Sequence, residues 1–108
     1  MLLHTGTGLL KKFPSNGRRA NTLDHTLKVM MYELGYVARG LTYAEHSDYR
    51  KDSSSMRAHL QEARINAADL ATQIRVLCDQ LGWDWNELLT DGEERFTERM
   101  QELEEEII

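Results

Sequence analysis

Cysteine and proline each occur once in this chain, at Cys78 and Pro14, and each scarcity excludes something. One cysteine cannot form an internal disulfide. Its place beside an apolar stripe points to a small core residue in a reducing compartment. With Pro14 the only proline, nothing of that kind interrupts the chain after residue 14, so long helices are permitted. Long hydrophobic runs are also missing. The opening MLLHTGTGLLKKF is too short and too polar for a signal peptide or a membrane span, which points to a cytoplasmic protein without a membrane partner. A basic excess is lacking too: 13 Lys and Arg stand against 18 Asp and Glu, a net charge of −5. Such a chain has no general basic face with which to displace counterions from nucleic acid. No segment alternates with period two over a useful length, so strands are not expected and the chain reads as all-α.

What is present is helical periodicity. Leu23, Leu27, Met30, Leu34, Val37 and Leu41 recur at steps of four and three, which keeps them on one helical face. That helix begins at Asn21 or Thr22, with Asn21 placed to cap it; Asp24 suits its positive end, and Gly40 reads as a stop. Residues 42–53 show no sustained period and read as a loop. A second, longer stripe follows: Met56, Leu60, Ala63, Ala67, Leu70, Ile74, Leu77 and Leu81, opened by Ser53, Ser54 or Ser55 and closed by Gly82. At about 1.5 Å per residue this helix is roughly 40 Å long, more than one short chain can cover. That length favours packing against a second subunit. Asp84 with Glu87, and Thr90 with Glu93, each form a cap, predicting a short helix WNELL and then a last helix carrying Phe96, Met100, Leu103 and Ile107.

Two units follow from this pass. Residues 1–20 hold Lys11, Lys12, Arg18 and Arg19 with no acid and read as a flexible basic arm. Residues 21–108 form one helical domain ending in crowded acids at Glu102, Glu104, Glu105 and Glu106. The arm either contacts an acidic tail, in this chain or a neighbouring one, or is simply solvated.

The chemistry-bearing candidates flank the stripes. Glu62, Asn66, Asp69 and Gln73 run beside the second stripe, and Glu33 borders the first between Met30 and Val37. A carboxylate at the edge of a core is only partly solvated and needs a cation or a donor. Acids one turn apart on two packed helices can hold magnesium, which takes oxygen ligands and keeps some of its waters. Pairing with Arg or Lys is the commoner fate of such acids, but Arg64 and Arg75 lie off the face of Asp69. Other sites are poorly supported. His59 and Glu62 stand in the reverse of the Glu-x-x-His order of di-iron bundles. The GTGLLKK run lacks a complete phosphate loop and a preceding strand. No Ser-His-Asp set can be placed, and Cys78 has no activating base. Trp83 and Trp85 suit anchoring of a turn better than stacking on a base.

The sequence NAADLATQIRVLCDQLGWDWNELL followed by EERFTER resembles the MazG-like, all-α nucleoside triphosphate pyrophosphohydrolase superfamily. Asn66 and Asp69 fall on its Glu-x-x-Asp positions, Leu81-Gly82-Trp83-Asp84 on its Leu-Gly-x-Asp turn, and Arg95 and Arg99 on basic positions of its last helix. Tyr32-Glu33-Leu34-Gly35-Tyr36 falls on its Glu-Glu-x-x-Glu motif, so the resemblance spans residues 22–99. It implies magnesium or manganese held by acids, and a nucleotide cleaved between its α and β phosphates to a monophosphate and pyrophosphate. Carried over residue by residue, Glu33 and Asp69 are the catalytic pair. Glu33, Asn66 and Asp69 would hold the metal, with Glu62, four residues before Asn66, as a displaced carboxylate that completes the metal set, and Lys28, Tyr36 and Arg95 are the candidate substrate contacts. The sequence departs from the pattern where Tyr32, Tyr36 and Asn66 stand in place of glutamates, and where Gly92 stands in place of a basic residue. A neutral phenol is a poor magnesium ligand, and an amide offers oxygen without charge.

The expectation is therefore an antiparallel helical hairpin plus short C-terminal helices. Subunits would join as a homodimer or homotetramer to form a four-helix-bundle core. The function expected is nucleotide pyrophosphohydrolysis. The alternative is a non-catalytic oligomerisation or nucleotide-sensing module on the same scaffold.

Overall fold

The computed structural model describes residues 8–47 and 53–107, and among these there are four helices and no strand. Helix α1 spans Pro14–Ala20, α2 Leu23–His46, α3 Ser53–Leu81 and α4 Trp85–Ile107. The all-α expectation holds.

Helix α1 lies where an irregular arm is expected. Pro14 at its first turn presets the backbone angle and gives up an amide that would have no partner there. Gly17 packs under the preceding turn, where a Cβ would run into the Leu10 carbonyl. Helix α2 starts at Leu23 and is capped by Thr22 in place of Asn21: the Thr22 hydroxyl accepts the His25 amide at 3.1 Å. It does not stop at Gly40. A Cβ there would lie 3.0 Å from both the Ala63 Cβ and the His59 carbonyl, so this glycine serves close approach of α3. The helix runs on to His46, and the expected loop begins correspondingly later; residues 48–52 of that loop lie outside the described residues. Helix α3 ends at Gly82, the one residue of positive φ among those described (72°), with the Trp83 amide donating to the Cys78 carbonyl at 2.9 Å. This is the left-handed termination read from the sequence. Asp84 then caps α4 by accepting the Glu87 amide at 2.9 Å. The second cap, Thr90 with Glu93, is not used: one continuous helix replaces the expected pair. Gly92 sits inside it without a positive φ.

Helices α2 and α3 form an antiparallel hairpin and α1 packs on α2, whereas α4 leaves the elbow at Gly82 and packs along no other helix. The radius of gyration is 18.2 Å, against about 13 Å for a compact chain of this size, with extents of 50 × 42 × 19 Å.

The seam of the hairpin is a heptad pattern, rotated from the predicted stripes. Thr26, Met30, Glu33, Val37, Gly40 and Ala44 of α2 are buried or half-buried. On α3 an apolar row of Met56, Ala63, Leu70 and Leu77 alternates with a polar row of His59, Asn66, Gln73 and Gln80. Leu23, Met30 and Val37 take their expected places, but Leu27, Leu34 and Leu41 are 46%, 60% and 50% exposed. Leu60 and Ala67 of the second stripe are exposed likewise. The cause is steric. With glycine and alanine at Gly40, Ala44 and Ala63, the helices close on their small residues and leave the leucine rows to one side.

Candidate functional site

In an antiparallel hairpin, the rows just before the apolar seam row of each helix share one edge, and the rows just after the polar seam row share the opposite edge. The first edge is polar: it carries Tyr36 and Tyr43 from α2 with Glu62 and Asp69 from α3. The Arg39 guanidinium donates to Glu62 Oε1 at 3.3 Å and stands 5.0 Å over the Tyr36 ring. Tyr43 meets the His59 ring edge-on at 5.4 Å. Both members of the Arg39–Glu62 pair are half-exposed, so water screens the attraction and the pair contributes little stability.

The register extends from the contact of Gly40 with His59 and Ala63. One heptad back on α2 and one forward on α3, Glu33 faces Asn66 and Leu70; one more, and Thr26 faces Gln73 and Leu77. The second Glu33 carboxylate oxygen, Oε2, is shut off from solvent and accepts no hydrogen bond. An acceptor left in that state costs about 1–3 kcal/mol. Asn66 turns its amide NH₂ back to the Glu62 carbonyl at 2.9 Å, so Oδ1 is the acceptor of that side chain. Asp69 stands exposed on the polar edge, next to Asn66 and Leu70 in the register.

By register, Glu33, Tyr36, Glu62, Asn66 and Asp69 fall along one stretch of seam and edge, where the contacts are those of Arg39 with Tyr36 and Glu62 and of Asn66 with the Glu62 carbonyl. The structure does not bring Lys28 or Arg95 there. Lys28 points outward and pairs with Asp24 at 3.0 Å, which raises its pKa through that hydrogen bond and the accompanying charge attraction. Arg95 lines an open cleft of about 630 Å³ at the elbow, with Trp83, Asp84, Glu87 and Asp91. Trp83 is 53% exposed and does not anchor the turn in a core. Among the described residues no three His, Cys, Asp or Glu side chains converge as a ready metal cage.

Sequence reasoning missed Arg39, Tyr43 and Gln80, and weighed His59 only as a di-iron ligand and not as the partner of Tyr43. Arg39 could have been found, because it lies one turn beyond Tyr36 and points to the same edge. Gln80 is fully buried, and its amide NH₂ donates to Asn21 Oδ1 at 3.4 Å, tying the end of α3 to the start of α2. Nothing in its spacing separates it from a surface glutamine.

Comparison of the chain with protein-family models, with curated proteins and with solved structures finds no match.

Proposed function

We propose that this chain is a MazG-like nucleoside triphosphate pyrophosphohydrolase, dependent on magnesium or manganese and assembled as a homodimer or homotetramer. The observation that carries the reading is the buried, unpartnered Glu33 carboxylate oxygen, in register with Asn66 and next to Asp69. A carboxylate withdrawn from water gains most from a cation, and the donors nearby are all oxygens, as magnesium requires. Glu33 and Asp69 would hold the metal and Asn66 would add its Oδ1. Glu62 joins only if it leaves Arg39. The metal, when bound, offsets phosphate charge and orients a water toward the α phosphate. Arg39 is the cationic side chain seated at this edge, and it is placed to meet phosphate oxygens on release from Glu62. Lys28 and Arg95 reach substrate only if the nucleotide, or a second subunit, extends beyond the edge.

The second reading is a non-catalytic oligomerisation or nucleotide-sensing module. The Arg39–Glu62 pair favours it: a guanidinium already neutralises one acid of the edge, while Tyr32, Tyr36 and Asn66 supply no charge. The two readings separate in an assay for pyrophosphate release from a panel of nucleoside triphosphates with magnesium or manganese. The hydrolase reading expects metal-dependent release, lost by at least about a hundredfold in Asp69→Ala with helicity unchanged. Full turnover in that variant moves the site elsewhere, and no release from any nucleotide leaves the module.

A further inference from the structure

Helix α4 presents an apolar stripe that no other helix packs along. Leu89, Phe96, Met100, Leu103 and Ile107 recur at helical spacing on one face, and every described residue from Leu89 onward is exposed. Over its first turns the stripe opens into two adjoining clefts. One, of about 580 Å³, lies on the stripe between Leu89, Glu93 and Phe96; the other, of about 630 Å³, is the elbow cleft, and the two share Leu88 and Gly92. Gly92 keeps the passage between them clear, since nothing lies within 4 Å of where its Cβ would be. We infer that α4 and the elbow form a docking surface for a basic amphipathic helix of a different protein.

Charge selects this occupant. Helix α4 has nine acids against two bases. One border of the stripe carries Glu93 and Glu104 and no base. On the other border Arg95 and Arg99 share the space with Glu102 and Glu106, so acids one or two turns away already answer them. A stripe with such borders complements a helix that has its own apolar stripe edged by lysine and arginine. The same acids repel the phosphates of nucleic acid and of anionic lipid, which directs the surface to a protein. This chain does not supply the basic helix. Among the described helices, α2 has three acids against two bases and α3 has three against three, while the basic α1 has seven residues and is too short to cover the stripe. The leucine rows of the hairpin remain for the homo-oligomer proposed above, and α4 for another chain.

The elbow cleft adds an anchor. Trp83 stands exposed there with Glu87 and Asp91, against the single base Arg95. An indole face beside carboxylates seats a lysine or arginine side chain. A partner helix lying on the stripe reaches this seat past Gly92 with one basic residue. None of this depends on the chemistry at Glu33, and the test involves neither metal nor nucleotide.

The test is a titration of the full chain with a labelled synthetic peptide, followed by fluorescence anisotropy. The peptide has about 20 residues, leucine at helical spacing, and lysine and arginine on both borders of the leucine stripe. Wild type is expected to bind it at least about tenfold tighter than a scrambled peptide of the same composition, and than an acidic twin with glutamate at every basic position. Phe96→Glu is expected to lose at least about tenfold in affinity although it adds an acid, and Met100→Glu repeats the loss, both with helicity unchanged in far-UV circular dichroism. Trp83→Ala is expected to lose about threefold. Leu34→Glu, on the hairpin, is expected to bind as wild type does. No binding of the basic peptide, equal binding of the scrambled one, full affinity in Phe96→Glu, or an equal loss in Leu34→Glu would each overturn the inference. So would a wild-type dimer in light scattering that Phe96→Glu dissociates, because a second copy would then hold α4.

Discussion

Helices α2 and α4 are nearly equal in length and similar in apolar periodicity, yet one is half of a packed hairpin and the other stands apart. The difference lies in their small residues and their charge. Helix α2 brings Gly40 and Ala44 to α3, which answers with Ala63, so backbones approach and even polar seam residues such as Thr26 are fully buried. Helix α4 carries large apolar groups and nine acids, and among the described residues it has no small-residue seam with another helix. An apolar stripe therefore states which face a helix must cover. Small residues state how closely a neighbour can approach it.

That comparison can be broken by placing one charge in each region. Val76 is 4% exposed in the hairpin, and Val76→Asp buries a carboxylate without a partner. It is expected to cost about 3–4 kcal/mol or to unfold the chain in urea titration. Leu103→Asp on α4 is expected to cost under about 1 kcal/mol when compared at dilutions where both proteins are monomeric. Equal losses would mean that α4 is packed within its own chain.

Glycines sharpen the same contrast within α2. Gly40→Ala is expected to destabilise by about 1–3 kcal/mol, because the new methyl meets backbone at His59. Gly35→Ala, where nothing lies within 4 Å, is expected to stabilise by about 0.5–1 kcal/mol. Thermal or urea unfolding reads both. If the two substitutions act with the same sign, the close approach of α3 at Gly40 is wrong.

The smallest effect concerns Cys78. It is 1% exposed, and burial, then the charges of Asp79 and Asp84, raise its thiol pKa. The folded state therefore keeps a proton that the unfolded chain loses at about pH 8.5. Between that point and the raised value the unfolded chain binds fewer protons, so stability falls as pH rises. This contribution is complete below about pH 8.5 and lost above it. Cys78→Ala is expected to flatten the fall in melting temperature over that alkaline range. An unchanged slope would assign the fall to other groups.

Much of the architecture was legible in the sequence because it is locally encoded. The Gly82 stop and the Asp84 cap each depend on residues within one turn, and each is found in the structure, while the cap of α2 falls on Thr22, one residue past the expected Asn21. The stop at Gly40 and the break before Thr90 failed for the reverse reason. Gly40 answers to Ala63 and His59 across the hairpin, and no local signal distinguishes a stop from a contact. The rotation of the stripes has the same origin: leucine spacing cannot say that a seam will close on glycine and alanine instead. At the candidate site, sequence singled out Glu33, Asn66 and Asp69, and the hairpin register brings them to one stretch. It could not show that Glu62 is engaged by Arg39, or that Asn66 commits its NH₂ to the Glu62 carbonyl.

The claim that joins fold to function is the proposal that the half-buried Glu33 carboxylate, with its Oε2 shut off from solvent, takes a cation. Manganese binding followed by electron paramagnetic resonance tests it most directly, on the wild-type chain and on Glu33→Gln, with and without a nucleoside triphosphate. The account predicts stoichiometric binding by the wild type and at least a tenfold loss of affinity in a variant that keeps its helicity. No binding by the wild type under either condition, or equal binding by both proteins, would contradict it.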